Sequence, residues 1–114
     1  MIVCLRTVAV PAEKRDDYLA WIREGRAVRE DHGILAEIVL EPASGDGDTV
    51  VITMWPSHEV FDAWIATPER DQLSASEMHQ LVEYRPITRY DVAGGYMNLA
   101  GLADHDAINP TQED

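Results

Sequence analysis

The sequence predicts an α+β fold in which an antiparallel sheet carries its helices on one face, with elements in the order β-α-β-β-α-β. Three observations predict it. Short runs of β-branched and apolar residues alternate with stretches whose apolar residues recur at helical spacing. A polar loop, PASGDGD at 42–48, joins two of these runs directly, as a hairpin connection does. At Trp55 a strand pattern passes straight into a helix pattern.

The first strand spans 2–10 and ends at Pro11, and a helix follows over 12–31 with Tyr18, Trp21, Ile22, Gly25 and Val28 on one face. Gly33 closes that helix, because glycine takes the left-handed conformation at little steric cost. The second strand covers 34–41 and the third 49–55. Pro56 cannot continue a ladder, Ser57 is placed to cap the next helix, and Glu59 puts negative charge at its positive end. That helix breaks at Thr67, where Thr-Pro-Glu supplies a cap, a proline for the first turn and an acid. A second helical piece runs to 82, and 85–92 forms the last strand. The order is that of a ferredoxin-like, split βαβ plan. Residues 1–93 form the domain, and 94–114, opening on Gly94-Gly95 and rich in acids, form an arm or tail.

At 114 residues the chain fits one domain with a real core. A formal charge of −12 argues against nucleic acid or an anionic membrane as partner, since both are bound through clustered Lys and Arg. The single cysteine, Cys4, allows no intrachain disulfide and no thiolate metal cluster, in keeping with a reducing cytoplasm. The N-terminal apolar run is interrupted by Arg6 and does not read as a signal peptide, and no apolar stretch reaches membrane-spanning length.

Strand alternation sorts side chains into two rows. Ile34, Ala36, Ile38 and Leu40, with Val50, Ile52 and Met54, form all-apolar rows, and these are expected to meet the helices together with Val3, Leu5, Thr7 and Ala9. The opposite rows mix apolar and polar residues: Leu35, Glu37, Val39 and Glu41; Thr49, Val51, Thr53 and Trp55; Cys4, Arg6 and Val8. Either row of the last strand fits this mixed face, and the one with Arg89 is favoured. The mixed face is too apolar for water, so a second copy of the sheet is expected to cover it and to leave a cavity there.

The pattern W-x-S-x-E-x-F-x-x-W, here Trp55, Ser57, Glu59, Phe61 and Trp64, resembles the antibiotic biosynthesis monooxygenase family of dimeric α+β barrels. Gly33 before the second strand and the closing RPITRYDV extend the likeness over residues 2–92. The resemblance implies a homodimer with a cleft in each subunit between sheet and helices. It implies one of several activities: cofactor-free oxygenation of anthrones or quinols, heme degradation, or another role. Trp55 matches the pocket tryptophan of the polyketide-anthrone oxygenases, while their asparagine and tyrosine fall on Val51 and Phe61. Trp64 matches the tryptophan that ruffles heme in the heme-degrading branch. The iron-binding histidine of that branch falls near Ser74, with His79 the nearest substitute.

Each candidate residue has a functional and a structural reading. Arg6 could bind an anionic oxygen, or pair with Glu37 or with an acid of a second subunit. Glu37 is a candidate base if desolvation raises its pKa, and otherwise an edge-strand acid in water. Thr53 and Trp55 could orient a planar ligand through a hydroxyl, an indole N–H and stacking, or pack the strand end. Val51 and Phe61 complete the wall beside Trp55, Trp64 reads as core, and Arg89 is a further donor. The four histidines lack the spacing of a metal site, and His79 alone is kept as a candidate acid or base. No glycine-rich loop follows a strand as nucleotide phosphates require. No metal and no cofactor are therefore expected. The function that follows is cofactor-independent monooxygenation of a small aromatic or quinol-like substrate in an apolar pocket. The alternative is a dimeric module that binds a small molecule, possibly heme, or acts as an isomerase.

Overall fold

In the computed structural model, residues 1–96 and residue 98 are described. The acidic arm expected over 94–114 falls, apart from 94–96 and 98, outside the described residues. Strand β1 (Ile2–Ala9) is followed by a 3-10 turn (Ala12–Lys14), helices α1 (Arg15–Glu24) and α2 (Arg26–Asp31), and strands β2 (Ala36–Leu40) and β3 (Thr49–Trp55). Helices α3 (His58–Ile65), α4 (Pro68–Ser74) and α5 (Glu77–Leu81) come next, then β4 (Glu83–Tyr84) and β5 (Thr88–Asp91). The sheet runs β2-β3-β1-β4, with β5 also on β1, and every described pairing is antiparallel. Strands β4 and β5 lie end to end along one edge of β1, so they act as a single last strand interrupted at Pro86, which has no N–H to donate. The α+β, ferredoxin-like arrangement expected from the sequence is the one observed.

Local chemistry accounts for the breaks. Ser57 Oγ accepts from Val60 N, Thr67 Oγ1 from Arg70 N and Ser76 Oγ from His79 N, each at 3.2 Å, so three hydroxyls open three successive helices. The stretch expected as one helix after Thr67 is therefore two. The long first helix is also two, with a hinge at Gly25. A Cβ on Gly25 would stand 2.7 Å from an Arg29 guanidinium nitrogen, so the missing side chain makes room for Arg29. Gly33 takes φ +99, as the C-terminal cap required.

The expected orientation of the sheet is overturned. The row facing the helices is Ile2, Cys4, Arg6 and Val8 with Thr49, Val51, Thr53 and Trp55, which is the mixed row. Ile2, Cys4 and Trp55 bury with Phe61 and Trp64 of α3, and Val8 and Val10 bury with Tyr18 and Ile22 of α1. The all-apolar row of Val3, Leu5, Ile38, Val50, Ile52 and Met54 joins neither cluster and forms the open face. At its margins Leu40 and Tyr90 are 44% and 54% exposed. Of the polar members of the mixed row, Arg6, Glu37 and Thr53 line a cavity on the inward side.

Candidate functional site

Between the mixed face of the sheet and the helices lies a cavity of about 150 Å³. Strand alternation places it on the outer face, under a second sheet, and the reversal of the rows overturns that; the cleft between sheet and helices that the resemblance implies is where it lies. Its aromatic wall comes from the junction at Trp55. The β3 strand delivers Trp55 opposite Ile2, and the Ser57 cap fixes the start of α3 so that Phe61 and Trp64 face back onto it. The Trp55 ring meets Phe61 edge-on at 5.2 Å between centroids and lies near-parallel to Trp64 at 6.3 Å. Trp55 Nε1 donates to Thr53 Oγ1 at 3.0 Å, so the indole N–H is satisfied within its own strand.

The opposite wall is polar. Arg6 pairs in register with Val51, and its guanidinium sits 4.8 Å above the Tyr84 ring. The Tyr18 and Tyr84 hydroxyls share a hydrogen bond, and burial raises the pKa of both, holding them as neutral phenols. His79 stacks on Tyr84 at 4.4 Å and 24°, with Trp21 at 6.2 Å on α1. Burial lowers the His79 pKa below its ordinary 6.5, and the nearby charges of Arg70 and Arg6 lower it further, so the imidazole is neutral at pH 7 and able to accept a proton. Burial likewise raises the Cys4 thiol, which stays protonated beside Thr53.

Six of the expected site residues, Arg6, Val51, Thr53, Trp55, Phe61 and Trp64, line this one cavity together with His79. Two do not serve as expected. Glu37 reaches the cavity, but Arg26 Nε meets its Oε1 at 2.9 Å and Arg29 Nη2 meets its Oε2, with the carboxylate side chain only 7% exposed. Both oxygens are committed to guanidinium groups, so Glu37 is a structural ion-pair centre and not a free base; its partners are Arg26 and Arg29, not Arg6. Arg89 lies outside the cavity lining, pairs with Asp62 at 2.7 Å and covers the outer face of Phe61 at 4.7 Å. It is held by an acid on α3. The sequence reading missed Tyr18, Arg70 and Tyr84 as site residues. Helical spacing places Tyr18 on one face of the first helix, whereas nothing in the sequence singles out Arg70 or Tyr84.

Among the described residues no group of three His, Cys, Asp or Glu side chains is placed to hold a metal ion, and no helix is long and apolar enough to cross a membrane.

Comparison with known proteins agrees with this fold. No curated relative matches significantly in sequence. Among solved structures, the heme degrader MhuD of Mycobacterium tuberculosis with two hemes bound superposes with a TM-score of 0.67 at 21% identity, over 85% of this chain and 100% of that one. The cofactor-independent oxygenase SnoaB of Streptomyces nogalater, as its N63A mutant, superposes at 0.69 with 13% identity, over 82% and 94%. A Deinococcus radiodurans protein described as an antibiotic biosynthesis monooxygenase gives 0.63 at 24%, over 86% and 97%. At these identities the likeness establishes the shared fold. The family model for antibiotic biosynthesis monooxygenase matches residues 1–75, from the first strand through the helices that carry Trp64 and Arg70. With most of the chain covered by that match, and with the Trp55 junction inside it, this protein belongs to the antibiotic biosynthesis monooxygenase family.

Proposed function

We propose that the protein is a homodimeric, cofactor-independent oxygenase of a small aromatic or quinol-like substrate. The observation that carries this reading is a neutral imidazole, His79, in the same cavity as an aromatic wall and a cationic donor, Arg6. A substrate ring packs against Trp55 and Phe61, and His79 takes a proton from its hydroxyl or acidic methylene. The Arg6 guanidinium stabilises the oxyanion that results. The electron-rich carbanion form then gives electrons to O2, and a C–O bond forms to give a hydroperoxide. Loss of water leaves a carbonyl, so one oxygen atom of O2 enters the product and the other leaves as water. A CH2 group becomes C=O in the process.

Oxygen uptake with a panel of quinols and anthrones tests the reading. His79→Ala is expected to lower kcat/KM by about 100-fold or more, the usual contribution of a positioned base. In the wild type, kcat/KM requires neutral His79. It is therefore full at neutral pH and is lost as the pH falls through the His79 pKa, below 6.5. Uptake that is absent on every substrate, or that is unchanged in His79→Ala, would overturn the proposal.

Dimerisation is supported by the open face of the sheet. Its central residues Leu5, Ile38, Ile52 and Met54 are all apolar, and a contiguous apolar patch on an uncovered sheet is the kind of surface a second copy buries. Ile52→Glu places a charge in the middle of that patch. In sedimentation or light scattering it is expected to convert a dimer into a monomer, and a variant that stays dimeric would place the interface elsewhere.

A heme ligand fits this cavity less well. The volume of about 150 Å³ is small for a porphyrin. Hemin titration is expected to give no His79-dependent Soret shift.

A further inference from the structure

The chain carries 21 Asp and Glu against 9 Lys and Arg, so acids are abundant enough to meet every arginine. Arg26, Arg29, Arg85 and Arg89 each stand within 4.0 Å of a carboxylate. Arg6 and Arg70 behave differently. Both line the cavity, and among the described residues neither guanidinium meets an acid. The Nε groups of Arg6, Arg15 and Arg29 are all buried without a hydrogen-bond partner, but Arg15 donates to the Gly45 carbonyl through Nη2 and Arg29 meets Glu37, whereas the charged group of Arg6 rests on the Tyr84 ring face. A buried guanidinium donor left without an acceptor is unfavourable, and a cationic group with no acid beside it in a cavity is suited to an anionic ligand. Arg29, the third arginine of the lining, is already neutralised by Glu37. The cavity thus has one end with two uncompensated positive charges beside His79, and another end walled by Trp55, Phe61 and Trp64.

We propose that the ligand is an aromatic acid, its carboxylate held between Arg6 and Arg70 and its ring against the Trp55, Phe61 and Trp64 wall. This rests on the oxygenase reading for its cavity and deepens it by naming the substrate class. A planar carboxylate takes a guanidinium through two parallel charge-assisted hydrogen bonds, which a neutral quinol cannot do. The spacing agrees. Arg6 stands opposite Val51 and Trp55 opposite Ile2, four residues apart along the sheet and therefore roughly 13 Å at about 3.3 Å per residue. A fused bicyclic acid reaches across that gap with its carboxylate at one end. A hydroxyl ortho to the carboxylate then lies on the His79 side, next to the base. The overall charge of −12 repels anions, so a preference for the acid has to come from the cavity itself.

Isothermal titration calorimetry with 1-hydroxy-2-naphthoate, its methyl ester and 1-naphthol on the full chain tests this without turnover. The acid is expected to bind at least about tenfold more tightly than the ester, as the loss of charge-assisted hydrogen bonds implies. Arg6→Gln and Arg70→Gln should each remove most of that preference, weakening the acid far more than the ester. Circular dichroism checks the fold of each variant. Arg70 lies on the short α4 helix at the cavity's edge, so Arg70→Gln decides the matter if Arg6→Gln does not fold. Equal binding of acid and ester, no binding of the acid, or an acid preference that survives in the folded variants would overturn the proposal. Oxygen uptake on a neutral quinol together with equal acid and ester binding would overturn this inference alone. An acid preference without oxygen uptake on any substrate would support it while removing the oxygenase reading.

Discussion

Trp55→Ala is expected to cost about 3–5 kcal/mol of stability, the range for truncating a fully buried large aromatic. The side chain is 1% exposed and is among the three most completely buried large side chains of the described chain. It holds Phe61 and Trp64 on α3 against Ile2 and Cys4 of β1, so its removal opens a cavity in the cluster that joins helix to sheet. Thr53 Oγ1 also loses the indole donor. Urea unfolding at a fixed protein concentration, which matters for any dimer, reads the change as a shifted midpoint with an unchanged slope. Trp55→Phe keeps most of the volume and is expected to cost about 1–2 kcal/mol, for the lost hydrogen bond and the smaller ring. A loss below about 1 kcal/mol in the alanine variant would mean that the aromatic cluster does not hold α3 to the sheet.

Glu37→Gln is expected to be destabilised by about 3 kcal/mol or more, because it leaves guanidinium groups in a largely buried place without their anion. The Glu37 side chain is 7% exposed and that of Arg29 is 12% exposed, so solvent screens this pair little; Arg26, at 33%, contributes less. The pair ties β2 to α2, and Arg29 also donates to the Ile22 carbonyl at the end of α1, so the damage extends to the helix hinge at Gly25. Thermal or urea unfolding measures it. A double change to similar-sized apolar residues, Glu37→Leu with Arg29→Met, is expected to recover much of the loss, since a buried pair contributes less than its breakage costs. A catalytic base would behave differently: the glutamine variant would keep its stability and lose only turnover. A stable but inactive Glu37→Gln would restore Glu37 to the reaction.

Much of the fold was legible because it is written in local chemistry. Ser57 and Thr67 are caps in the structure as their positions predict, Gly33 takes the left-handed conformation, and the 42–48 loop joins β2 to β3. The hinge at Gly25 and the cap at Ser76 were not read. The first is decided by where the Arg29 guanidinium packs, and the second lies in a helical stretch whose apolar spacing carries across the break. The aromatic wall was legible for the same local reason, since Trp55, Phe61 and Trp64 lie within one strand-helix junction. The polar wall was not. Tyr18, Arg70 and Tyr84 come from α1, α4 and β4, and only the fold brings them to Arg6 and His79.

By itself the sequence determined the order of elements, their caps and the division of each strand into an apolar and a mixed row, because these follow from periodicity and from hydrogen bonds between near neighbours. It could not determine which row faces the helices. Alternation defines two faces but is blind to which one is covered; that is set by the side of the sheet on which the helices pack, a property of the connections between strands. Pairing of charges was also left to the tertiary structure. Glu37 meets arginines of α2, and Arg89 meets Asp62 across 27 positions of chain. Those long-range contacts commit Glu37 and Arg89 to ion pairs, and among the described residues no such contact reaches Arg6 and Arg70, which charge the end of the cavity away from Trp55.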